Sequence, residues 1–138
     1  MLRSKKTILS ICLSCRDGLE DIYMTRGGKR FADFFLDRIK NKKYSELKIR
    51  GIRCMSQCKR SCIISLSSEK SLTYIFGDIT PSKKEYFDPL LSLINLYNSS
   101  QEGFMKRRNR PELFKSNILG RIPPIVSNSS IVTDLYKG

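Results

Sequence analysis

Three of the five cysteines in this sequence fall within nine residues, in the stretch Cys54-Met-Ser-Gln-Cys58-Lys-Arg-Ser-Cys62. The other two, Cys12 and Cys15, form a second close pair near the start of the chain. Thiolates are soft ligands that suit zinc, copper(I) and iron–sulfur clusters, and two short-spaced pairs on distant loops can form one four-sulfur site. The cysteine pattern therefore predicts a metal centre and constrains the fold to one that brings the two loops together.

The sequence contains no histidine, so any metal must be held mainly by sulfur. This excludes His-ligated zinc, Rieske centres, serine–histidine triads and Cys–His proteases. An odd number of cysteines in a chain of 138 residues is untypical of a secreted disulfide scaffold and favours reduced thiols. No apolar run approaches the length of a membrane span. We therefore expect a cytoplasmic protein.

The chain is strongly basic, with 26 lysines and arginines against 13 aspartates and glutamates and a formal charge of +13. Such a charge attracts acidic proteins, nucleic acid or an anionic surface. Cations near the cysteines would also offset the negative charge of a thiolate-ligated cluster. We expect the basic residues beside the cysteines to form a docking face for an acidic partner; they are Arg16, Arg53, Lys59 and Arg60.

Hydrophobic patterns predict a single α/β domain over residues 1–98. The predicted strands are 7–13, 47–54, 62–66 and 72–76, and the predicted helices are 29–40 and one that begins near Thr80-Pro81. The order is thioredoxin-like, with βαβ followed by ββα. Loops at the C-terminal ends of parallel strands lie side by side in such a sheet. Both cysteine loops then meet, and the two pairs supply four sulfurs without requiring Cys62.

Helical spacing predicts the core-facing residues of both helices. The first stripe is Phe31, Phe34, Phe35 and Ile39, and the second is Tyr86, Leu90, Leu93, Ile94 and Tyr97. Before the first helix, Gly27-Gly28 predicts a flexible loop able to fold back over a metal site.

Residues 99–138 differ in composition from the rest of the chain and predict a basic, Ser/Asn/Pro-rich C-terminal extension. One interpretation is a tail solvated by its charges. The other is an arm that docks on the domain or on a partner through apolar residues, namely Phe104, Phe114, Ile118 and Leu119.

The segment from Cys54 through Cys62 into Ile63-Ile64-Ser65-Leu66 resembles the second cluster-binding loop of thioredoxin-like [2Fe-2S] ferredoxins. In that loop two ligand cysteines are separated by three residues and an apolar strand follows. The whole chain resembles an uncharacterised family of predicted metal-binding proteins related to those ferredoxins. The other segments that carry this resemblance are Cys12-Leu-Ser-Cys15-Arg16, Phe76-Gly77-Asp78, Arg110-Pro111 and Arg121-Ile-Pro-Pro124.

The resemblance implies that Cys12, Cys15, Cys54 and Cys58 bind a [2Fe-2S] cluster, with Cys62 a buried thiol or a substitute ligand. It implies a one-electron carrier rather than an enzyme, acting with an acidic redox partner protein. The first alternative is a four-cysteine zinc protein with a structural or regulatory role, associated with nucleic acid. The second is a dithiol redox protein that uses the first cysteine pair. Self-association as a homodimer is a further expectation.

Overall fold

The computed structural model describes residues 6–18, 20, 25–80 and 84–138. Within these ranges the chain forms a five-stranded sheet and two α-helices, joined in part by short 3₁₀ turns. Neither of these helices is long and apolar enough to cross a bilayer. The strands are β1 (Thr7–Cys12), β2 (Leu47–Ile52), β3 (Ile64–Ser67), β4 (Thr73–Phe76) and β5 (Ile118–Ile122), and the helices are α1 (Gly27–Ile39) and α2 (Phe87–Ser99).

The strand order in the sheet is β2-β1-β3-β4-β5. β1 and β2 are parallel and connected through α1, whereas β1–β3, β3–β4 and β4–β5 are antiparallel. The first four strands and the two helices therefore have the thioredoxin-like order βαβ then ββα. This confirms the fold class predicted from the hydrophobic pattern.

Register in the sheet determines which loops meet at its edge. Cys12, the last residue of β1, pairs with Ile52, the last residue of β2. Ile11 pairs with Ile64, the first residue of the antiparallel strand β3. The segments that carry the cysteines therefore all leave the sheet at the same end.

The core lies between the sheet and the two helices. Phe31 and Phe35 of α1 are fully buried and contact Phe87 of α2, with ring centroids 5.6 and 6.0 Å away. All five residues predicted for the second stripe are buried, and the Tyr97 hydroxyl donates a hydrogen bond to the Leu72 carbonyl at 2.5 Å. Phe34 was wrongly assigned to the core: it is 46% exposed, because the buried stripe of α1 is narrower than the apolar pattern.

Both helices begin at other residues than predicted. α1 includes Gly27 and Gly28, which are buried, so the interpretation of this pair as a flexible loop is wrong. α2 begins at Phe87, after a 3₁₀ turn at Lys84–Tyr86. The predicted helix start at Thr80-Pro81 lies partly outside the described residues, since Pro81 is not among them.

The C-terminal extension contributes directly to the sheet, because β5 pairs with β4. Phe114 is fully buried against Phe76 and Tyr86, with ring centroids 5.4 and 6.0 Å away. Phe104, Ile118 and Leu119 are half-buried against the same core. The solvated-tail interpretation is therefore wrong for residues 104–122. Beyond them several large apolar side chains are exposed, namely Ile125, Val126, Ile131, Leu135 and Tyr136.

Candidate metal centre

The two cysteine loops are in direct contact. The Leu13 N–H donates to the Ile52 carbonyl at 2.8 Å, which extends the β1–β2 pairing by one step past Cys12. The backbone N–H of Met55, in the second loop, lies near the Cys12 sulfur. A cysteine from one loop is therefore close to the backbone of the other.

Three of the cysteines form a buried group at this edge of the sheet. Cys12, Cys15 and Cys62 are 2%, 4% and 1% exposed. The Cys15 thiol lies beside Cys12 and Cys62, and the Ile63 N–H is close to its sulfur. Cys62 is thus a buried thiol, as one of the two sequence interpretations expected. Its contact with Cys15 is additional, since sequence spacing does not reveal which sulfurs touch.

The other two cysteines form an exposed pair on the loop that follows β2. Cys58 lies beside Cys54, whose sulfur accepts a hydrogen bond from the Ser56 N–H at 3.4 Å. Cys58 begins a 3₁₀ turn, Cys58–Arg60, that has no buried residue. This pair is held by local contacts within its own loop rather than by the core.

The pKa values of the thiols reflect this crowding of sulfur. Burial raises the pKa of Cys12, while the hydrogen bond to Cys62 and then burial raise the pKa of Cys15. The pKa of Cys58 is raised chiefly by the negative charge of a Cys54 thiolate, with smaller effects from Cys15 and Cys12. The exposed pair is therefore within electrostatic reach of the buried sulfurs. A bound metal cation would oppose these shifts, because it binds the thiolate form.

Gly28 positions the first cysteine loop against α1. Its N–H donates to the Cys15 carbonyl at 2.9 Å. A Cβ atom added at Gly28 would lie 1.9 Å from the carbonyl oxygen of Cys12, so only glycine allows this approach. The Gly-Gly pair before an apolar helical pattern is the sequence signal for this contact.

A buried ion cluster holds the segment after Cys15. Glu20 accepts hydrogen bonds from the N–H groups of Asp17 and Gly27, at 3.2 and 2.9 Å. Arg30 of α1 pairs with both carboxylates, whose side chains are 3% exposed for Asp17 and 1% for Glu20. Sequence reasoning missed this cluster, because no short motif links these three residues.

A second ion pair lies beneath the loop that carries Cys58 and Cys62. Arg60 pairs with Asp78 at 2.6 Å, and the Asp78 N–H donates to the Arg60 carbonyl at 2.7 Å. A Cβ atom at Gly77 would lie 2.7 Å from that same carbonyl oxygen. The Phe76-Gly77-Asp78 segment therefore supports the second cysteine loop. Part of the Arg60 charge is offset by Asp78, whereas Arg16, Arg53 and Lys59 are exposed.

The chemistry of the donors fits a metal group that prefers sulfur, since this edge of the sheet presents five thiols and no imidazole. As the side chains stand, no group of three or more cysteine or acidic residues in the described ranges is arranged to hold a metal ion. A site built from both groups of cysteines would therefore require the exposed pair to move toward the buried sulfurs.

A family model described as protein of unknown function, DUF1636, matches residues 9–124. The chain belongs to this family. The matched region of this DUF1636 protein includes both cysteine loops, β5 and the two arginine motifs at 110 and 121.

A solved structure of a thioredoxin-like [2Fe-2S] ferredoxin from Aquifex aeolicus is 13% identical to the chain, with a TM-score of 0.48. The match covers 73% of this chain and 99% of that one. This similarity is too weak to assign a cofactor, and the fold follows from the order and directions of the strands. Among curated proteins, none matches the chain.

Proposed function

We propose that this DUF1636 protein binds a [2Fe-2S] cluster through cysteine thiolates and acts as a one-electron carrier. The observation that supports this most is the register of the sheet, which pairs Cys12 with Ile52 and so brings the two cysteine loops to the same edge. Sulfur is the donor that iron–sulfur clusters require.

Cys12, Cys15, Cys54 and Cys58 are the proposed ligands. Such a cluster supplies one-electron chemistry and breaks no substrate bond. The chain supplies hydrogen bonds to the sulfurs, which tune the reduction potential of such centres. In this structure the Ser56 N–H donates to the Cys54 sulfur at 3.4 Å, and the N–H groups of Met55 and Ile63 lie near the sulfurs of Cys12 and Cys15.

The exposed basic residues beside the site are proposed to dock an acidic redox partner. Arg53 and Lys59 flank the exposed cysteine pair, and Arg16 follows the buried one. Complementary charge accelerates encounter between proteins more than it adds affinity. The association rate is therefore expected to fall steeply as the salt concentration rises.

Dithiol exchange by the first cysteine pair is disfavoured. Cys12 and Cys15 are 2% and 4% exposed, whereas a thiol that attacks the disulfide of another protein must be accessible as a thiolate. Burial also raises the pKa of both thiols, which lowers the thiolate fraction near neutral pH.

The test is metal and sulfide analysis of anaerobically purified protein, with visible and EPR spectra. We expect iron and acid-labile sulfide, visible absorption, and a paramagnetic signal after one-electron reduction. Single Cys→Ser changes at positions 12, 15, 54 and 58 should each lose the cofactor, and Cys62→Ser is the matched buried control that should keep it. Colourless protein with stoichiometric zinc would replace the proposal with the four-cysteine zinc alternative.

Cys62 decides the ligand assignment. Because its sulfur contacts Cys15, it is the thiol best placed to substitute for that ligand. Retention of the cofactor by Cys15→Ser, together with its loss in the Cys15→Ser/Cys62→Ser double variant, would show such a substitution. Loss in Cys62→Ser alone would mean that Cys62 is itself a ligand.

A further inference from the structure

Two arginine motifs that play no part in the metal centre lie on the β4–β5 side of the sheet. Arg121, in β5, is paired with Tyr74 of β4, whereas the cysteine end of these strands is marked by the pair Phe76 and Ile118. Tyr74 accepts a hydrogen bond from the Met105 N–H at 2.9 Å, which holds the segment that leads to Arg110 over β4. The fold thus brings the arginines at 110 and 121 to the same region.

Three guanidinium groups lie in this region. Arg107 and Arg110 both donate to the Lys115 carbonyl, each at 3.3 Å. Arg121 lies over the Phe104 ring, with its guanidinium carbon 4.7 Å from the ring centroid. Arg107 and Arg121 are exposed, whereas Arg110 is only 7% exposed. One buried cation is therefore close to two cations that face the solvent.

The hydrogen-bonding capacity of Arg110 is incompletely used. Its Nε is buried and has no hydrogen-bond partner among the described residues. The side-chain oxygen of Asn117, seven residues further along the chain, is likewise buried without a partner there. A buried charge is costly unless it is paired and hydrogen-bonded. In the described parts of the chain no carboxylate pairs with these arginines, and Glu112 pairs with Lys115 instead.

The electrostatics agree with this geometry. Burial is the main cause that lowers the pKa of Arg110, and the positive charges of Arg107 and Arg121 lower it further. An anion bound beside Arg107 and Arg121 would offset both costs, since it would supply the missing counter-charge to the buried cation and reduce the repulsion between the three groups.

We propose that Arg107, Arg110 and Arg121 form a binding site for a phosphate group. The guanidinium fork matches phosphate oxygens bidentately. A phosphate monoester carries a charge of about −1.5 to −2 near neutral pH, so it offsets several guanidinium charges better than one carboxylate does. The group can belong to inorganic phosphate or to a small phosphate monoester, whose organic part would lie near Phe104.

The test is calorimetric titration of the purified full-length protein with inorganic phosphate, at an ionic strength held constant with chloride. We expect saturable binding at one site. Arg107→Gln and Arg121→Gln should each weaken the affinity about tenfold or more, because each removes a charge-assisted hydrogen bond. Arg108→Gln is the matched control: it is exposed and lies in the same 3₁₀ turn as Arg107, and it should leave the affinity unchanged.

Phenyl phosphate distinguishes the two sources of the group. Tighter binding than inorganic phosphate, lost in Arg121→Gln, would assign a phosphate monoester, and weaker binding would assign the free ion. Arg110→Met tests the buried cation directly, with circular dichroism to check folding; the exposed variants keep the test valid if it does not fold.

Three results would overturn the proposal. The first is no saturable binding of either phosphate compound. The second is an equal loss of affinity in Arg108→Gln, which would indicate general attraction to a basic surface. The third is binding only to a DNA or RNA oligonucleotide, with the steep salt dependence of contacts to a nucleic-acid backbone.

Discussion

The two halves of the sulfur site differ in what holds them. Cys12, Cys15 and Cys62 are buried at the end of the sheet, whereas Cys54 and Cys58 are exposed on the loop after β2. The buried half belongs to the hydrophobic core, so its position is set by folding. The exposed half lies outside this core. For the proposed cluster, the difference predicts a site of which only the buried half is in place before the metal binds.

Backbone contacts explain this difference. The Cys12 N–H donates to the Ile63 carbonyl at 3.0 Å, and the Cys62 N–H donates to the Ile79 carbonyl at 3.0 Å. In the exposed loop, Ser56 has a left-handed backbone with φ of 60°, and the following turn buries no side chain. Local opening costs least where buried contacts are few.

The largest expected effect comes from Gly28→Ala, which attacks the support of the buried half. The added Cβ would lie 1.9 Å from the Cys12 carbonyl oxygen, and this backbone atom cannot move without displacing β1. The cost of overpacking, about 3 kcal/mol, exceeds the gain of about 1 kcal/mol in helix propensity. We expect urea unfolding to show a net loss of about 2 kcal/mol, with weaker metal binding.

Gly120→Ala is the matched control for that change. A Cβ atom at Gly120, in β5, has no heavy atom within 4 Å. Its free energy of unfolding should stay within about 0.5 kcal/mol of the native value. Equal losses in the two variants would mean that the close packing at Gly28 does not support the site.

The next largest effect is expected in the alkylation rates of the cysteines, which should differ between the two halves of the sulfur site. In metal-free protein at pH 8, iodoacetamide should modify Cys54 and Cys58 at least about tenfold faster than Cys12 and Cys15, because a buried thiol reacts only after local opening. Mass spectrometry of peptides measures each rate. In concentrated urea the difference should disappear. A Cys15 that reacts as fast as Cys54 in the folded protein would contradict the division into halves.

Truncating one cysteine from each half should affect the metal-free protein unequally. Cys15→Ala removes a buried sulfur that lies beside Cys12 and Cys62, and should lower the free energy of unfolding by about 1 kcal/mol. Cys54→Ala should change it by less than about 0.5 kcal/mol. Urea denaturation under reducing, metal-free conditions measures both. A larger loss in Cys54→Ala would show that the exposed loop is already part of the core.

The smallest effect is expected from Asp78→Asn, under the second cysteine loop. Asparagine tolerates the left-handed backbone at this position, where φ is 57°, so the change removes mainly the charge. The pair with Arg60 is half exposed, and such pairs contribute little. We expect a slightly lower urea midpoint at pH 7.

The pH dependence of the stability of Asp78→Asn tests whether the pair with Arg60 acts through its charge. Arg60 holds the pKa of Asp78 below its usual value, so the folded state favours the charged carboxylate. The stabilisation is therefore present above the pKa of the unfolded chain and is lost as pH falls through the lower folded pKa. The two proteins should become equally stable in acid. A difference that persists there would indicate a steric rather than an electrostatic role.

Much of the fold was predictable because it depends on local patterns. Alternating and helical spacing of apolar residues predicted the first four strands and both helices in thioredoxin-like order. β5 was not predicted, since Ile118–Ile122 contains Gly120 and Arg121 and resembles a loop until it pairs with β4. Phe34 fits the helical spacing of the core stripe yet is exposed, because spacing does not reveal how wide the packed face is.

Sequence alone determined the kind of chemistry available here: sulfur donors in two short-spaced groups, without histidine, on a basic chain. Only the tertiary structure decided which sulfurs are buried and that Cys62 lies beside Cys15. It also decided that Arg30 pairs with Asp17 and Glu20 and so holds the segment after Cys15. The physical reason is that residue type and spacing act along the chain. Burial, contact between thiols and the pairing of distant charges arise only when separate segments pack together.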